Sequence, residues 1–130
     1  AHRMPSAGMS FFDGLPPPSE LHPRALAHLG DAVYELFLRE YALKTLGALQ
    51  SQALHRFTVQ RARAEYQAAL LARWQPDLDE ADADLVRRAR NLPLGSKRRG
   101  DQALHRQATA FEALVGAWYL ERPDMLRARL

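Results

Sequence analysis

Apolar residues recur at helical spacing in four stretches of the chain, and no stretch alternates with period two for long enough to make a strand. In the first stretch Leu26, Leu29, Val33, Leu36, Phe37 and Tyr41 recur at helical spacing. Ser19 is a candidate N-cap for this helix, Pro23 is tolerated in a first turn, and Gly47 offers a stop. A second helix is predicted from Ser51 to about Trp74, with Pro76 ending it. Val59, Ala62, Tyr66, Ala69 and Leu70 make its expected buried face, while Arg56, Gln60, Arg63 and Gln67 share another face. The third helix has Asp79, Glu80 and Asp82 early and Arg87, Arg88 and Arg90 late, an order that suits the helix dipole. Residues 91–95 break it. The fourth runs from about Asp101 to Leu120 with the stripe Leu104, Ala108, Phe111, Val115, Trp118 and Tyr119, and Pro123 opens a short terminal helix. The expected fold is all-α. Residues 1–18 close on Pro16-Pro17-Pro18 and read as an irregular arm, which leaves 19–130 as one domain.

An apolar fraction of 47% in 130 residues suffices for one core. No run of about 18 apolar residues exists to span a membrane, and the first twenty residues lack a signal-peptide layout. Without Cys there is no disulfide framework and no thiolate chemistry. The expected setting is the cytoplasm. Charge adds more. The net charge is +3, and its distribution is uneven. Residues 77–84 read DLDEADAD, whereas Arg87, Arg88, Arg90, Lys97, Arg98, Arg99 and Arg106 face one acid, Asp101, over 87–106. Such a basic block is the footprint of a polyanion partner.

Two helices carry an oddity. In LAHLGDAVYE (26–35) Gly30 and Asp31 interrupt an apolar run. A mid-helix Gly costs about 1 kcal/mol relative to Ala, and an acid beside an apolar stripe needs a partner. Gly30 could end one helix and Asp31 cap the next, but the apolar spacing continues unbroken and position 34, where a capping box wants Glu or Gln, is Tyr. In FEALVGAWYL (111–120) Glu112 precedes Gly116 by one turn of the same face. Glycine lets two helix backbones approach closely. If these helices pack there, Asp31 and Glu112 converge, and two such carboxylates call for a cation. A hard divalent ion such as Mg2+ meets that need, with Mn2+ as a substitute. The competing reading leaves each acid exposed or paired with one of the many Arg residues. Glu35, one turn after Asp31, is either a third ligand or a surface acid paired with Arg39.

LGDAVYEL (29–36) resembles the signature helix of the ribonuclease III catalytic domain, and FEALVGAWYL resembles that family's second acidic motif. RRARN (87–91) and TAFEALVG (109–116) are similar to segments of the short Mini-ribonuclease III branch, and the end at Leu130 leaves no room for a double-stranded-RNA-binding domain. The resemblance covers roughly residues 20–122. It implies a helical endonuclease domain working as a homodimer, and Mg2+-dependent hydrolysis of double-stranded RNA. It also implies maturation of precursor 23S ribosomal RNA ends, aided by a large-subunit ribosomal protein. Asp31 and Glu112 become the metal-binding catalytic acids. Full-length relatives have further acids where this chain has Arg24, Ala27 and Thr109, as the short branch also lacks them. The loop LPLGSKRRGD (92–101) departs from the branch pattern.

Double-stranded RNA is recognised by shape, through phosphates and 2′-hydroxyls. The expected contacts are the basic loop Lys97, Arg98 and Arg99, then Arg56 and Arg63, and Arg88. The competing function is a non-catalytic RNA-binding or ribosome-assembly module on the same fold, which could dispense with either acid. Phe37, Trp118 and Tyr119 serve either a subunit interface or the core.

Overall fold

The structure is a computed structural model, described here for residues 10–47, 51–93 and 99–130. Among the described residues six α-helices follow one another: α1 (Pro23–Leu46), α2 (Ser51–Ala62), α3 (Ala64–Trp74), α4 (Glu80–Arg90), α5 (Arg99–Glu121) and α6 (Pro123–Arg129). Single 3-10 turns at Pro18–Glu20 and Gln75–Asp77 precede α1 and α4. The described residues contain no strand.

α5 is the axis of the fold. Ala110, Phe111, Ala113, Leu114, Val115 and Trp118 are fully buried, so apolar side chains surround it rather than lining one stripe. α1, α3, α4 and α6 pack around it. The core is aromatic where α1, α3 and α5 meet. Trp74 stacks on Phe111 with centroids 5.0 Å apart and tilts against Trp118 at 4.9 Å, and Tyr34 meets Phe111 edge-on at 4.9 Å. Trp118 and Tyr119 therefore belong to the core. No helix among the described residues is long and apolar enough to cross a membrane.

Local chemistry sets the helix ends. α1 starts after His22 rather than Ser19: the His22 ring Nδ1 accepts from the Arg24 N–H at 3.0 Å, and Pro23 fills the first position. Gly47 closes α1 with φ +68°, a conformation that favours Gly. Asp79 caps α4 by accepting from the Asp82 N–H at 2.8 Å. Arg122 then ties that cap to the α5–α6 joint, at 3.3 Å from Asp79 and 2.6 Å from the buried Asp82. At the other end of α4, Arg106 donates to the carbonyls of Arg90 (2.6 Å) and Leu92 (3.2 Å), and Arg24 donates to that of Pro93 (2.9 Å).

The α2–α3 region corrects an expectation. The helix predicted over 51–74 is two helices. Arg63 is extended (ψ 149°), and the phase restarts at Ala64. Thr58, Gln67, Leu71 and Trp74 are buried instead of Val59, Ala62, Tyr66 and Ala69, while Leu70 is partly buried. On α1 the buried stripe is Leu26, Ala27, Gly30, Val33, Tyr34, Leu38 and Ala42. Leu36 (50% exposed) and Tyr41 (38%) lie outside it, because the core sits toward the Gly30 side of the helix.

Candidate active site

The site forms where α1 and α5 touch backbone to backbone. A Cβ on Gly30 would overlap the Glu112 carbonyl, 2.7 Å from its carbon and 2.9 Å from the Gly116 nitrogen. A Cβ on Gly116 would lie 3.0 Å from the Leu26 carbonyl carbon and 3.2 Å from the Gly30 nitrogen, with the Leu26 oxygen nearer still. Both helices continue through their glycines, so Gly30-Asp31 is not a stop followed by a cap. Each glycine removes the side chain that would hold the helices at the usual 8–10 Å axial separation.

This contact brings the two acids together. Asp31 follows Gly30 on the solvent-facing side of α1, and Glu112 is half-buried on α5. Asp31 lies close enough for its carboxylate to act on that of Glu112. Burial first, and then Asp31, push Glu112 up to about 8, and the Gln67 amide opposes the rise. A carboxyl held protonated near neutral pH beside an ionisable partner marks a place where positive charge is wanted.

Gln67 is the residue that sequence reasoning put on the wrong face. It is 4% exposed, and its Nε2 donates to the Ala62 carbonyl at 3.2 Å. The signal available in the sequence was its spacing from Leu71 and Trp74, which places all three on one face of a helix starting at Ala64. Recognising it required knowing that the helix breaks at Arg63.

The donor set suits a hard divalent cation. Two carboxylates meet, and among the described residues no group of three or more His, Asp or Glu side chains converges as a cage. Mg2+ keeps several waters and takes one or two carboxylates plus substrate phosphate, so a two-acid site matches its habit. Glu35 does not join the pair. Its carboxylate lies 3.5 Å from Arg39 on the exposed face of α1, and it is not among the groups acting on Glu112.

The expected RNA contacts fall into separate groups. Arg56 is exposed on α2, and Arg63 is exposed at the joint before α3. The break means that they do not share a stripe with Gln67. Arg88 is exposed and pairs with Asp84 at 3.0 Å. Lys97 and Arg98 lie outside the described residues, and Arg99 begins α5.

Comparison with known proteins identifies the family and the fold. The family model of the ribonuclease III domain matches residues 24–123. The chain is 44% identical over 101 residues to a Mini-ribonuclease 3 of Desulfitobacterium hafniense, an alignment covering 78% of this chain and 64% of that protein. It is 43% identical over 104 residues to a Mini-ribonuclease 3 of Symbiobacterium thermophilum, covering 79% of each. The chain thus spans slightly less than two thirds of the first of these relatives. A crystal structure of a Fusobacterium nucleatum protein superposes with a TM-score of 0.73 at 28% identity, covering 85% of this chain and 88% of that one. The chain belongs to the ribonuclease III family, in its Mini-ribonuclease 3 branch.

Proposed function

We propose that this member of the ribonuclease III family is a cytoplasmic, Mg2+-dependent endoribonuclease that cleaves double-stranded RNA and matures the ends of precursor 23S ribosomal RNA. The convergence of Asp31 and Glu112 at the glycine contact carries this reading. Asp31 and Glu112 hold the metal, and Mn2+ can replace Mg2+. When bound, such an ion neutralises charge on the phosphoryl oxygens and makes a water more acidic. Glu112 gives up its proton to take part, and Asp31 supplies the second oxygen donor. The proposed RNA contacts are Arg56, Arg63, Arg88 and the basic run Lys97, Arg98 and Arg99, which would engage phosphates rather than base edges.

The active form in this reading is a homodimer, helped by a large-subunit ribosomal protein. A second copy has a surface to use. Ala25, Leu29, Ala32, Leu36 and Leu43 follow one another at spacings of three, four or seven residues along α1, outside the buried stripe. Leu36 and Leu43 are half exposed there. Such a seam suits a facing helix.

The decisive experiment incubates the protein with structured double-stranded RNA and with precursor 23S RNA, in Mg2+ or EDTA. Cleavage is expected in Mg2+ alone. Asp31→Asn and Glu112→Gln should each slow it by roughly a thousandfold, the rate equivalent of several kcal/mol of metal-derived stabilisation. Circular dichroism and RNA binding should persist. Wild-type turnover in either variant overturns the assignment. Binding without Mg2+-dependent cleavage of either RNA would make the protein a non-catalytic RNA-binding module.

A further inference from the structure

We propose that the groove between α1, α3 and α6 binds single-stranded RNA, with bases stacked on Tyr41 and Tyr66 and phosphates held by Lys44, Arg73 and Arg127. The inference rests on the reading of this protein as an RNA enzyme, and gives it a place for an unpaired stretch of its substrate.

The groove encloses about 770 Å³ and has an apolar floor of Phe37, Leu70 and Leu126. Two rings stand open in its walls: Tyr41 is 38% exposed and Tyr66 41%. Tyr41 is held in place, tilted on Phe37 with centroids 5.8 Å apart and edge-on to Phe57 at 5.3 Å. A ring fixed in this way loses little freedom when a base stacks on it. The two walls repeat one pattern. Phe37, Tyr41 and Lys44 on α1 follow at i, i+4 and i+7, and so do Tyr66, Leu70 and Arg73 on α3. Each face thus runs from apolar groups to a cation. Arg127 adds a third cation from α6.

These three cations are exposed, and among the described residues none of them is in an ion pair. Arg129, by contrast, is engaged by Asp77 at 3.7 Å and lies over the Trp118 ring. Glu40 is the one acid among the described lining residues. Three unpaired cations against one acid make a positive groove, which calls for an anionic occupant. The aromatic faces select which anion. A duplex keeps its bases stacked and presents phosphates and 2′-hydroxyls. An unpaired strand offers base faces together with phosphates, the combination that single-strand grooves engage. An acidic peptide would answer the cations and leave the tyrosine faces without a stacking partner. Leu36 is the only lining residue shared with the outer stripe of α1, so the tyrosines and cations stand off the proposed subunit seam.

The test is fluorescence anisotropy of a labelled oligouridylate with the full chain in EDTA, which keeps cleavage out of the measurement. The wild type should bind. Tyr41→Ala and Tyr66→Ala should each weaken binding about 5- to 150-fold, the loss of one stacked base. Lys44→Gln, Arg73→Gln and Arg127→Gln should each reduce the slope of log affinity against log salt by about 0.7. Glu40→Gln should tighten binding, a gain that a misfolded variant could not give. A wild type that does not bind overturns the proposal, as does wild-type affinity in both tyrosine variants or an unchanged salt slope in the cation variants. Polyglutamate that binds as tightly as oligouridylate, and is weakened by the same substitutions, overturns it too and makes the groove a dock for an acidic protein. Cleavage of blunt duplex RNA without binding of the single strand would refute this inference alone. Binding of the strand by a protein that cleaves no RNA would refute the functional reading alone.

Discussion

The α1–α5 pair and the α2–α3 pair solve the same packing problem in opposite ways. α1 and α5 are long and continuous, and they meet through backbone because Gly30 and Gly116 leave no side chain between them. α2 and α3 are short and divided at Arg63, and the carbonyls freed by the division are taken by side chains, Tyr34 on Arg61 and Gln67 on Ala62. The first contact places the acids. The second places the amide that acts on one of them. Close backbone packing tolerates almost no change of volume, whereas a side-chain hydrogen bond can be removed at modest cost. The two halves of the site should therefore differ sharply in their sensitivity to substitution.

Gly30→Ala attacks the first contact and should have the largest effect. The added methyl would occupy the position of the Glu112 carbonyl. Overpacking of this kind costs about 3 kcal/mol or more when backbone itself must move. Urea denaturation should show that loss, and wild-type stability in the variant would mean that the helices are not in contact here.

Glu112 offers a perturbation without a volume change. Its carboxyl is raised from 4.5 to about 8 in the folded protein. The folded state then binds the proton more tightly than the unfolded chain. The stability it contributes is full below 4.5 and is lost as pH rises through about 8. Thermal melts of metal-free protein should show this decline. Glu112→Gln should remove it, and Mg2+ added at alkaline pH should raise the melting temperature of the wild type and not of the variant.

Tyr34→Phe tests the second pair. It removes the donor to the Arg61 carbonyl and keeps the ring against Phe111, so a loss of about 1 kcal/mol is expected by urea denaturation. The smallest effect belongs to Glu35→Ala, which breaks an exposed pair with Arg39. A change of about 0.5 kcal/mol or less is expected, with Mn2+ affinity unaltered. A large fall in that affinity would bring Glu35 into the site.

The two regions also differ in how far they could be read from sequence. Gly30 with Asp31, and Glu112 with Gly116, were legible because a glycine and an acid inside an apolar helix are both costly unless used. Arg63 was not legible as a break. It is neither Gly nor Pro, and the apolar spacing of 51–74 fits one helix as well as two. From that single omission came the wrong buried face and the misplacement of Gln67.

α1 shows the same limit in another form. Its sequence carries two apolar stripes, one through Leu26, Gly30 and Val33 and one through Leu29, Leu36 and Leu43. Periodicity makes both equally helical, and only packing against α5 decides that the first is core. The all-α class, the stop at Gly47 and the acids early in α4 are local matters, set by residues within a turn or two of each other, and the sequence alone determined them. The raised Glu112 carboxyl, the burial of Gln67 and the sealing of the α2–α3 joint depend on groups tens of residues apart along the chain. Burial and hydrogen bonding are properties of neighbours in space, so those features were decided by the tertiary structure.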